Sequence, residues 1–166
     1  MNKKLLSIFK SSKVKYTTIK HKKVFTAYDA AATLHLKLSA IAKSLLVKTN
    51  KPLESGKKPY NIAIVPADKN IDLKKLAKVM TTKDLRITKV EIPKEAVMKT
   101  QFKVKPGSMS AFGSIYKLKT FVDKSVKGEM IFASGEFTES IKMKVGDFVK
   151  LENAKVGNFS VAKKKR

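Results

Sequence analysis

The sequence predicts a single α+β domain built on a mixed, mostly antiparallel β-sheet, or on a barrel-like sheet, surrounded by helices. The chain has 166 residues, a length that suits one domain with a real core. It is 43% hydrophobic, which argues against disorder. Segments with helical spacing and segments with strand alternation are interspersed without regular βαβ units, as in α+β folds.

The N-terminal 35 residues predict two helices and one strand. Leu5, Leu6, Ile8 and Phe9 have helical spacing, and the serine pair at 11–12 can end that helix. Residues 13–20 alternate and predict a strand, so residues 1–20 form a helix-and-strand extension. Thr26 and Asp29 then resemble a capping box, which opens an alanine-rich helix through about residue 35.

The next segments predict a hairpin followed by a helix. Residues 39–49 read as a helical turn and a buried strand, residues 51–58 as a turn, and residues 60–65 as the partner strand. Asp72 can cap a helix over residues 73–80, whose apolar side chains share one face.

The second half predicts further strands and helices around a glycine-containing loop. Pro93 suits a helix first turn, which predicts a helix over residues 93–98, and Gly146-Asp147 begins a helix over residues 148–153. The predicted strands are 85–90, 114–122, 129–133 and 139–143. We therefore expect a single domain over residues 1–153 and a mobile basic tail over residues 154–166.

The charge indicates a polyanionic partner. Lys+Arg is 37 and Asp+Glu is 13, so the net charge is +24. A surplus of this size favours nucleic acid, although a generally lysine-rich composition would serve solubility alone. Because Arg86 and Arg166 are the only arginines, we expect contacts to phosphates and shape rather than bidentate readout of bases.

Composition also limits the location and the chemistry. No apolar run reaches the roughly 18 residues of a membrane span, and there are no cysteines, so we expect a cytoplasmic protein without a membrane role. The sequence holds no P-loop and no G-x-S-x-G elbow. His21 and His35 are not at metal-ligand spacing, so we expect no metal and no cofactor.

The loop between Gly107 and Gly113 is the most informative segment. Glycine is used where the backbone takes positive φ or approaches another group closely. The small residues between these glycines would present backbone N–H groups as an anion-binding nest, able to stabilise an oxyanion. Phe112 looks exposed in this loop, although an ordinary connection before a strand would show the same composition.

Several segments, in order, resemble the YbaK/EbsC family of aminoacyl-tRNA deacylases, which includes the editing domain of bacterial prolyl-tRNA synthetase. The resemblance runs from about His21 to Asn153. Its motifs are HKKVFT with DAA, AKSLLV, VPAD leading into DLKKLA, PGSMSAFG, and FVDKS with SG beyond it. No single motif is specific, but their common order makes chance similarity improbable.

The resemblance implies a YbaK-like fold and an enzyme that hydrolyses the ester joining a wrong amino acid to tRNA. It implies catalytic roles for Lys43, Gly107 and Ser108. The implied substrate-binding residues are Phe25, Thr26, Met109, Ser110, Ala111, Phe112, Gly113, Asp123, Ser134 and Gly135. No cofactor is implied, and the implied partners are the aminoacylated 3′ end of tRNA and an aminoacyl-tRNA synthetase.

Some of these residues also have plainer interpretations. Thr26 serves mainly as a helix cap, and Lys43 without the resemblance would be a solvated surface lysine. Ala111 departs from the family, which usually has proline there, so pocket shape and amino-acid preference are left open. His21 is a weaker candidate, because a lone histidine in a lysine-rich turn is usually solvated. With no protein nucleophile evident, we expect water to attack, or the thiol of a bound cysteine.

Two alternatives remain open on the sequence. One is a non-catalytic module of the same fold that binds tRNA or a synthetase. The other is a basic RNA- or ribosome-associated protein whose functional element is the tail over residues 163–166.

Overall fold

The structure is a computed structural model that describes residues 1–164, and Lys165 and Arg166, at the end of the expected tail, lie outside the described residues. The helices of the described chain are α1 (Lys3–Ser12), α2 (Ala27–Leu34), α3 (Leu73–Met80), α4 (Ala96–Phe102) and α5 (Val145–Glu152). The strands are β1 (Thr17–Lys20), β2 (Ile41–Thr49), β3 (Tyr60–Pro66), β4 (Lys69–Ile71), β5 (Val90–Glu91), β6 (Thr120–Asp123), β7 (Glu129–Glu136), β8 (Glu139–Lys144), β9 (Lys155–Gly157) and β10 (Ser160–Ala162). Short 3₁₀ turns occur at Leu38–Ala40 and Gly113–Tyr116.

The main sheet is mixed and open. Its strand order is β1-β8-β7-β2-β3-β6-β9, with β5 paired to β2, and a separate small sheet joins β10 to β4. The β1–β8, β7–β8, β2–β3 and β2–β5 pairs are antiparallel, whereas β2–β7, β3–β6 and β6–β9 are parallel. The predicted single α+β domain with a mixed, mostly antiparallel sheet is confirmed. The barrel-like alternative is wrong, because within residues 1–164 the two end strands do not pair with each other.

Both faces of the sheet are covered. Leu5 and Phe9 of α1 and Phe148 of α5 belong to one core cluster with Phe132 of β7. Leu76 and its neighbours on α3 bury the opposite face against β3, as the apolar face of that helix predicts. No helix within the described residues is both long and apolar enough to cross a membrane.

The predicted elements are confirmed where contacts between neighbouring residues determine the structure. α1 ends at Ser12, α3 spans the predicted residues, and β2 and β3 form the predicted hairpin. Asp72 accepts hydrogen bonds from the N–H groups of Lys74 and Lys75 at 3.0 and 3.1 Å, which is the expected cap.

Three of the elements predicted before the glycine loop differ from the structure. The first strand begins only at Thr17, where its pairing with β8 starts, and Lys13 instead ends α1 in a left-handed conformation with φ 58°. The predicted strand 85–90 is largely irregular, since its N–H groups at Ile87, Thr88 and Lys89 donate to the side chains of Thr81 and Asn50 instead of to a strand. The predicted helix at 93–98 begins instead at Ala96.

The predictions for the strand after the glycine loop and for the C-terminal tail are also partly wrong. The predicted strand 114–122 starts as a 3₁₀ turn, because Lys117 has φ 60° and reverses the chain before β6. Beyond α5, the expected tail continues the fold: β9 joins the main sheet, β10 pairs with β4, and Phe159 between them is fully buried. The fold therefore extends through Ala162 rather than ending at Asn153.

Candidate functional site

A cavity of about 310 Å³ lies where β2 and β7 separate. These strands pair in parallel only at Ile41–Ile131 and Ala42–Phe132. Beyond that point, residues 43–45 of β2 and Ala133 and Glu136 of β7 line the space between them. The start of α2, the loop at Gly107 and Met109, and Met98 of α4 complete the wall.

Five of the residues implied by the family resemblance line this cavity. They are Phe25, Thr26, Lys43, Gly107 and Met109. These residues belong to three motifs that are distant in sequence, HKKVFT, AKSLLV and PGSMSAFG, and the fold brings the three motifs together.

The start of α2 is fixed by a reciprocal cap. The Thr26 hydroxyl accepts a hydrogen bond from the Asp29 N–H at 3.1 Å, and the Asp29 carboxylate accepts one from the Phe25 N–H at 3.2 Å. This is the expected capping box with one difference: the Asp29 carboxylate accepts from the N–H of Phe25, the residue before the cap, instead of from that of Thr26 itself. Phe25 is half exposed at the cavity, and its ring lies 5.1 Å from that of Phe137.

Gly107 packs directly against this segment. Its φ is +85°, and a Cβ atom built there would lie 2.7 Å from the carbonyl oxygen of Phe25. Both the backbone conformation and the contact therefore require glycine, as its position in the loop predicted.

The loop after Gly107 is not a free nest of donors. The N–H groups of residues 108 and 110–113 all donate within the protein, to Lys105 O, Tyr116 OH, Ala133 O, Ser110 Oγ and Ala111 O respectively. Among residues 1–164, the N–H groups of Gly107 and Met109 have no such acceptor, and both residues line the cavity. The expected nest is thus reduced to two donors.

The other loop residues implied by the resemblance lie outside the cavity lining. Ala111 and Phe112 are fully buried in the core, which corrects the expectation that Phe112 is exposed. Ser108 donates to Lys105 O at 2.8 Å. Gly113 packs on Thr120, where a Cβ atom would lie 2.6 Å from Oγ1. Ser110 is buried and donates to Ala133 O at 3.3 Å.

Ser134, Gly135 and Asp123 have structural contacts instead. The Ser134 hydroxyl donates to Glu139 O at 2.7 Å and accepts from the Glu136 N–H, which fixes the β7–β8 turn. Gly135, at φ +102°, packs on Ser110. Asp123 is buried and binds the C-terminal strand segment, away from the cavity.

Lys43 is held at the edge of the cavity by its neighbours. Its ammonium donates to the carbonyl oxygen of Lys69 in β4 at 2.8 Å. Burial lowers the pKa of Lys43, and the positive charge of Lys163 lowers it further, while Tyr28 and Asp68 act in the opposite direction. A half-buried ammonium with one carbonyl partner keeps two further donors for a ligand.

Lys163, from the segment expected to be a mobile tail, reaches the same place. It donates to Ala67 O at 2.7 Å and to the Tyr28 hydroxyl, and its ammonium lies 4.2 Å from the Tyr28 ring centroid. The hydrogen bond from Lys163 lowers the pKa of Tyr28. The residue that follows β10 therefore brings a second cation close to Lys43 and to Tyr28, which lines the cavity.

Sequence reasoning missed the acidic and hydroxyl residues that line the opposite side. Glu136, Glu139 and Ser140 all line the cavity. Glu139 is buried, and its carboxylate lies 3.3 Å from the Met1 amine. The Ser140 hydroxyl lies 2.8 Å from His21 Nε2. Strand alternation along β8 was the only signal for Glu139 and Ser140, and it does not show which strand lies beside a cavity.

The comparisons with known proteins identify the family of the chain. The profile of the aminoacyl-tRNA editing domain family matches residues 21–151, which is most of the chain. The chain belongs to the aminoacyl-tRNA editing domain family. The family resemblance read from the motifs is thereby confirmed, and the matched range includes all five cavity residues that the resemblance implied.

Solved structures share the fold of this editing domain. The crystal structure of a hypothetical protein is 16% identical, with a TM-score of 0.80, and the match covers 96% of this chain and 100% of that chain. A candidate trans-editing enzyme for prolyl tRNA synthetase is 15% identical, with a TM-score of 0.71, and the match covers 95% of each chain. No curated protein matches the chain significantly.

Proposed function

We propose that this editing domain hydrolyses the ester that joins a wrong amino acid to the terminal ribose of tRNA. The observation that carries the proposal is the charge arrangement of the cavity. Lys43 lies on β2, Glu136 ends β7 and Glu139 begins β8, and most of the other residues that line the cavity are apolar. A ligand with an anion at one end and a cation at the other fits this arrangement.

An aminoacylated tRNA end has that chemistry. Its α-ammonium would lie near Glu136, which is exposed and has no ion-pair partner among the described residues. Glu139, in contrast, already forms an ion pair with the Met1 amine. The terminal phosphate or the ester carbonyl would accept hydrogen bonds from Lys43. The N–H groups of Gly107 and Met109 would stabilise the oxyanion that forms when the ester is attacked.

The size of the cavity supports discrimination between amino acids. A volume of about 310 Å³ is at the small end for ligand pockets. In this proposal the cavity takes up a small aminoacyl group and acts as a second sieve, which rejects the correct product by size. Because Met98 and Met109 form flexible parts of the wall, they would set which side chains enter.

The surface charge supplies tRNA affinity in this proposal. A net charge of +24 attracts the phosphate backbone independently of sequence. The prolyl tRNA synthetase named for one similar structure makes tRNA(Pro) carrying a wrong amino acid the first substrate to test.

A second candidate is a module that binds the aminoacylated end without hydrolysing it. The internal hydrogen bonds of the loop favour it, because they leave only two N–H donors for an oxyanion.

A panel of mischarged tRNAs tests the proposal and separates the two candidates. We expect wild-type protein to accelerate deacylation of at least one of them over buffer. Lys43→Ala should lower the rate on the order of a hundredfold, as loss of one preorganised donor does, and Lys22→Ala, an exposed control, should leave it unchanged. Tight binding without turnover would instead establish the binding module.

A further inference from the structure

Lys163 contacts a side chain of the cavity from the far end of the chain. Its ammonium donates to Ala67 O at 2.7 Å and to the Tyr28 hydroxyl, and it lies 4.2 Å from the Tyr28 ring centroid. Tyr28 lines the cavity and is 50% exposed. Lys163 lies beyond residue 151, where the match to the editing domain ends, so the family match gives it no role.

Two lysines share this edge of the cavity without a carboxylate partner. Lys43 donates to Lys69 O and Lys163 donates to Ala67 O, so they bind carbonyl groups two residues apart where β3 turns into β4. Neither ammonium forms an ion pair within residues 1–164. Lys163 lowers the pKa of Lys43 by its positive charge, and Asp68, exposed on the same turn, raises that pKa by less. The two ammonium groups therefore repel each other.

This group of side chains offers hydrogen-bond donors to a ligand. An ammonium has three N–H donors, so Lys43 keeps two and Lys163 keeps one after their contacts within the protein. The Tyr28 hydroxyl accepts from Lys163, and its own proton has no acceptor among the residues that the structure describes. Two positive charges with these remaining donors suit a ligand that has negative charge and several acceptor oxygens, which is the chemistry of a phosphate group.

We propose that Lys163 and Tyr28, beside Lys43, bind the phosphate that joins the terminal adenosine of tRNA to the preceding nucleotide. The inference rests on the ester hydrolysis proposed above and adds a binding site for the nucleotide that carries the ester. A phosphate bound there offsets the repulsion between the two lysines and fixes the terminal nucleotide at the cavity, which positions its ester. Lys43, which keeps two donors, remains available to the ester carbonyl. Lys163 is then a substrate-positioning residue rather than a catalytic one.

The first experiment measures binding without turnover. The probe is 3′-alanylamido-3′-deoxyadenosine, in which a stable amide replaces the ester. It is made either with a 5′ methyl phosphate, which carries the single charge of the tRNA linkage, or with a free 5′ hydroxyl. Isothermal titration calorimetry at one low salt concentration gives both Kd values. We expect wild type to prefer the phosphate form by at least about tenfold, the usual size of a hydrogen bond to a charged group.

Matched variants separate Lys163 from the general positive charge of the chain. Lys163→Gln should lose most of the preference and bind the hydroxyl form as wild type does, while Lys163→Arg should keep the preference. Lys164→Gln removes the same charge from the exposed neighbouring residue and should leave the preference unchanged. Tyr28→Phe keeps the ring but loses the O–H donor, so it should reduce the preference about threefold or more. No preference in wild type, or an equal preference in Lys163→Gln, would overturn the proposal.

Inorganic phosphate distinguishes the two sources of this ligand chemistry. Titrated alone, it should bind more weakly than the methyl phosphate probe and compete with it, because it lacks the nucleoside and the aminoacyl group. Inorganic phosphate that binds as tightly as the probe would indicate a site for the free ion and would overturn the tRNA phosphate as the ligand.

The second experiment uses single turnovers at pH 7 on whichever mischarged tRNA the protein deacylates. Lys163→Gln should raise the protein concentration that gives half the maximal rate about tenfold, and leave the maximal rate within about twofold, as loss of a binding contact does. Lys164→Gln should change neither, and melting curves verify folding. A lower maximal rate at unchanged half-saturation would overturn the proposal and leave the proposed function in place. Absent turnover together with a Lys163-dependent preference for the phosphate probe would support the phosphate site and overturn only the hydrolysis.

Discussion

Replacing Asp123 by asparagine tests how the C-terminal segment is attached. Oδ1 of Asp123 accepts hydrogen bonds from the N–H groups of Phe159 and Ser160 at 2.7 and 2.8 Å. Oδ2 accepts from the Ser125 N–H at 3.0 Å and from the hydroxyls of Ser125 and Ser160. This one carboxylate therefore holds the start of β10, which pairs with β4.

The pKa of Asp123 gives the size of the effect. Burial alone would raise it, but the hydrogen bonds from Ser125, Phe159 and Ser160 lower it from 3.8 to about 2. That difference corresponds to about 2 kcal/mol of stability at neutral pH. Because the folded-state pKa is depressed, this stabilisation is present above about pH 4 and is lost as the pH falls towards 2.

Asp123→Asn keeps an oxygen for Phe159 and Ser160 but loses the charge and the acceptor for the Ser125 N–H. We expect it to lower the free energy of unfolding by about 2 kcal/mol at pH 7 and to reduce the acid-dependent loss of stability by a similar amount. Urea unfolding at pH 7 and pH 2 measures both, with Asp84→Asn as an exposed control. Unchanged stability at pH 7, or the wild-type pH dependence in the variant, would refute the reasoning.

Three further predictions concern the cavity and the surface. Gly107→Ala should lower the free energy of unfolding, measured in urea, by about 2 to 4 kcal/mol, because it combines positive φ with the Phe25 contact. Gly56→Ala, at φ +78° in open space, should lower it by about 1 kcal/mol, and equal losses in the two variants would exclude the contact as the cause. Lys163→Gln should raise the pKa of Lys43, moving the alkaline loss of deacylation to higher pH, and an unshifted pH–rate profile would contradict this coupling. Affinity for tRNA, measured by filter binding, should fall steeply with salt, with log Kd rising linearly with the logarithm of the salt concentration. A Kd that does not change with salt would contradict binding through the tRNA phosphates.

The sequence predicted those parts of the fold that depend on neighbouring residues. Thr26 and Asp72 cap the expected helices because a cap needs only N–H groups a few residues away. Gly107 was identified correctly because positive φ selects glycine locally. Phe112 was misjudged, since its burial depends on helices that are distant in sequence.

Only part of the candidate site could be predicted, for the same reason. Lys43 is one lysine among many, and only the motif around it singled it out. Ser140 and Glu139 have no motif of their own, and they reach the cavity because β8 pairs with β7 where β7 leaves β2. Lys163 was assigned to a mobile tail because its side-chain contacts depend on the pairing of β10 with β4.

The central claim is that this cavity hydrolyses the aminoacyl ester of mischarged tRNA. The most direct test is the single-turnover deacylation rate of tRNA(Pro) and other tRNAs carrying small wrong amino acids, measured with wild type, Lys43→Ala and Lys22→Ala. We predict rapid release of at least one wrong amino acid by wild type and by Lys22→Ala, and a loss on the order of a hundredfold in Lys43→Ala. Deacylation no faster than in buffer for every tRNA, or equal rates for the two variants, would contradict the claim.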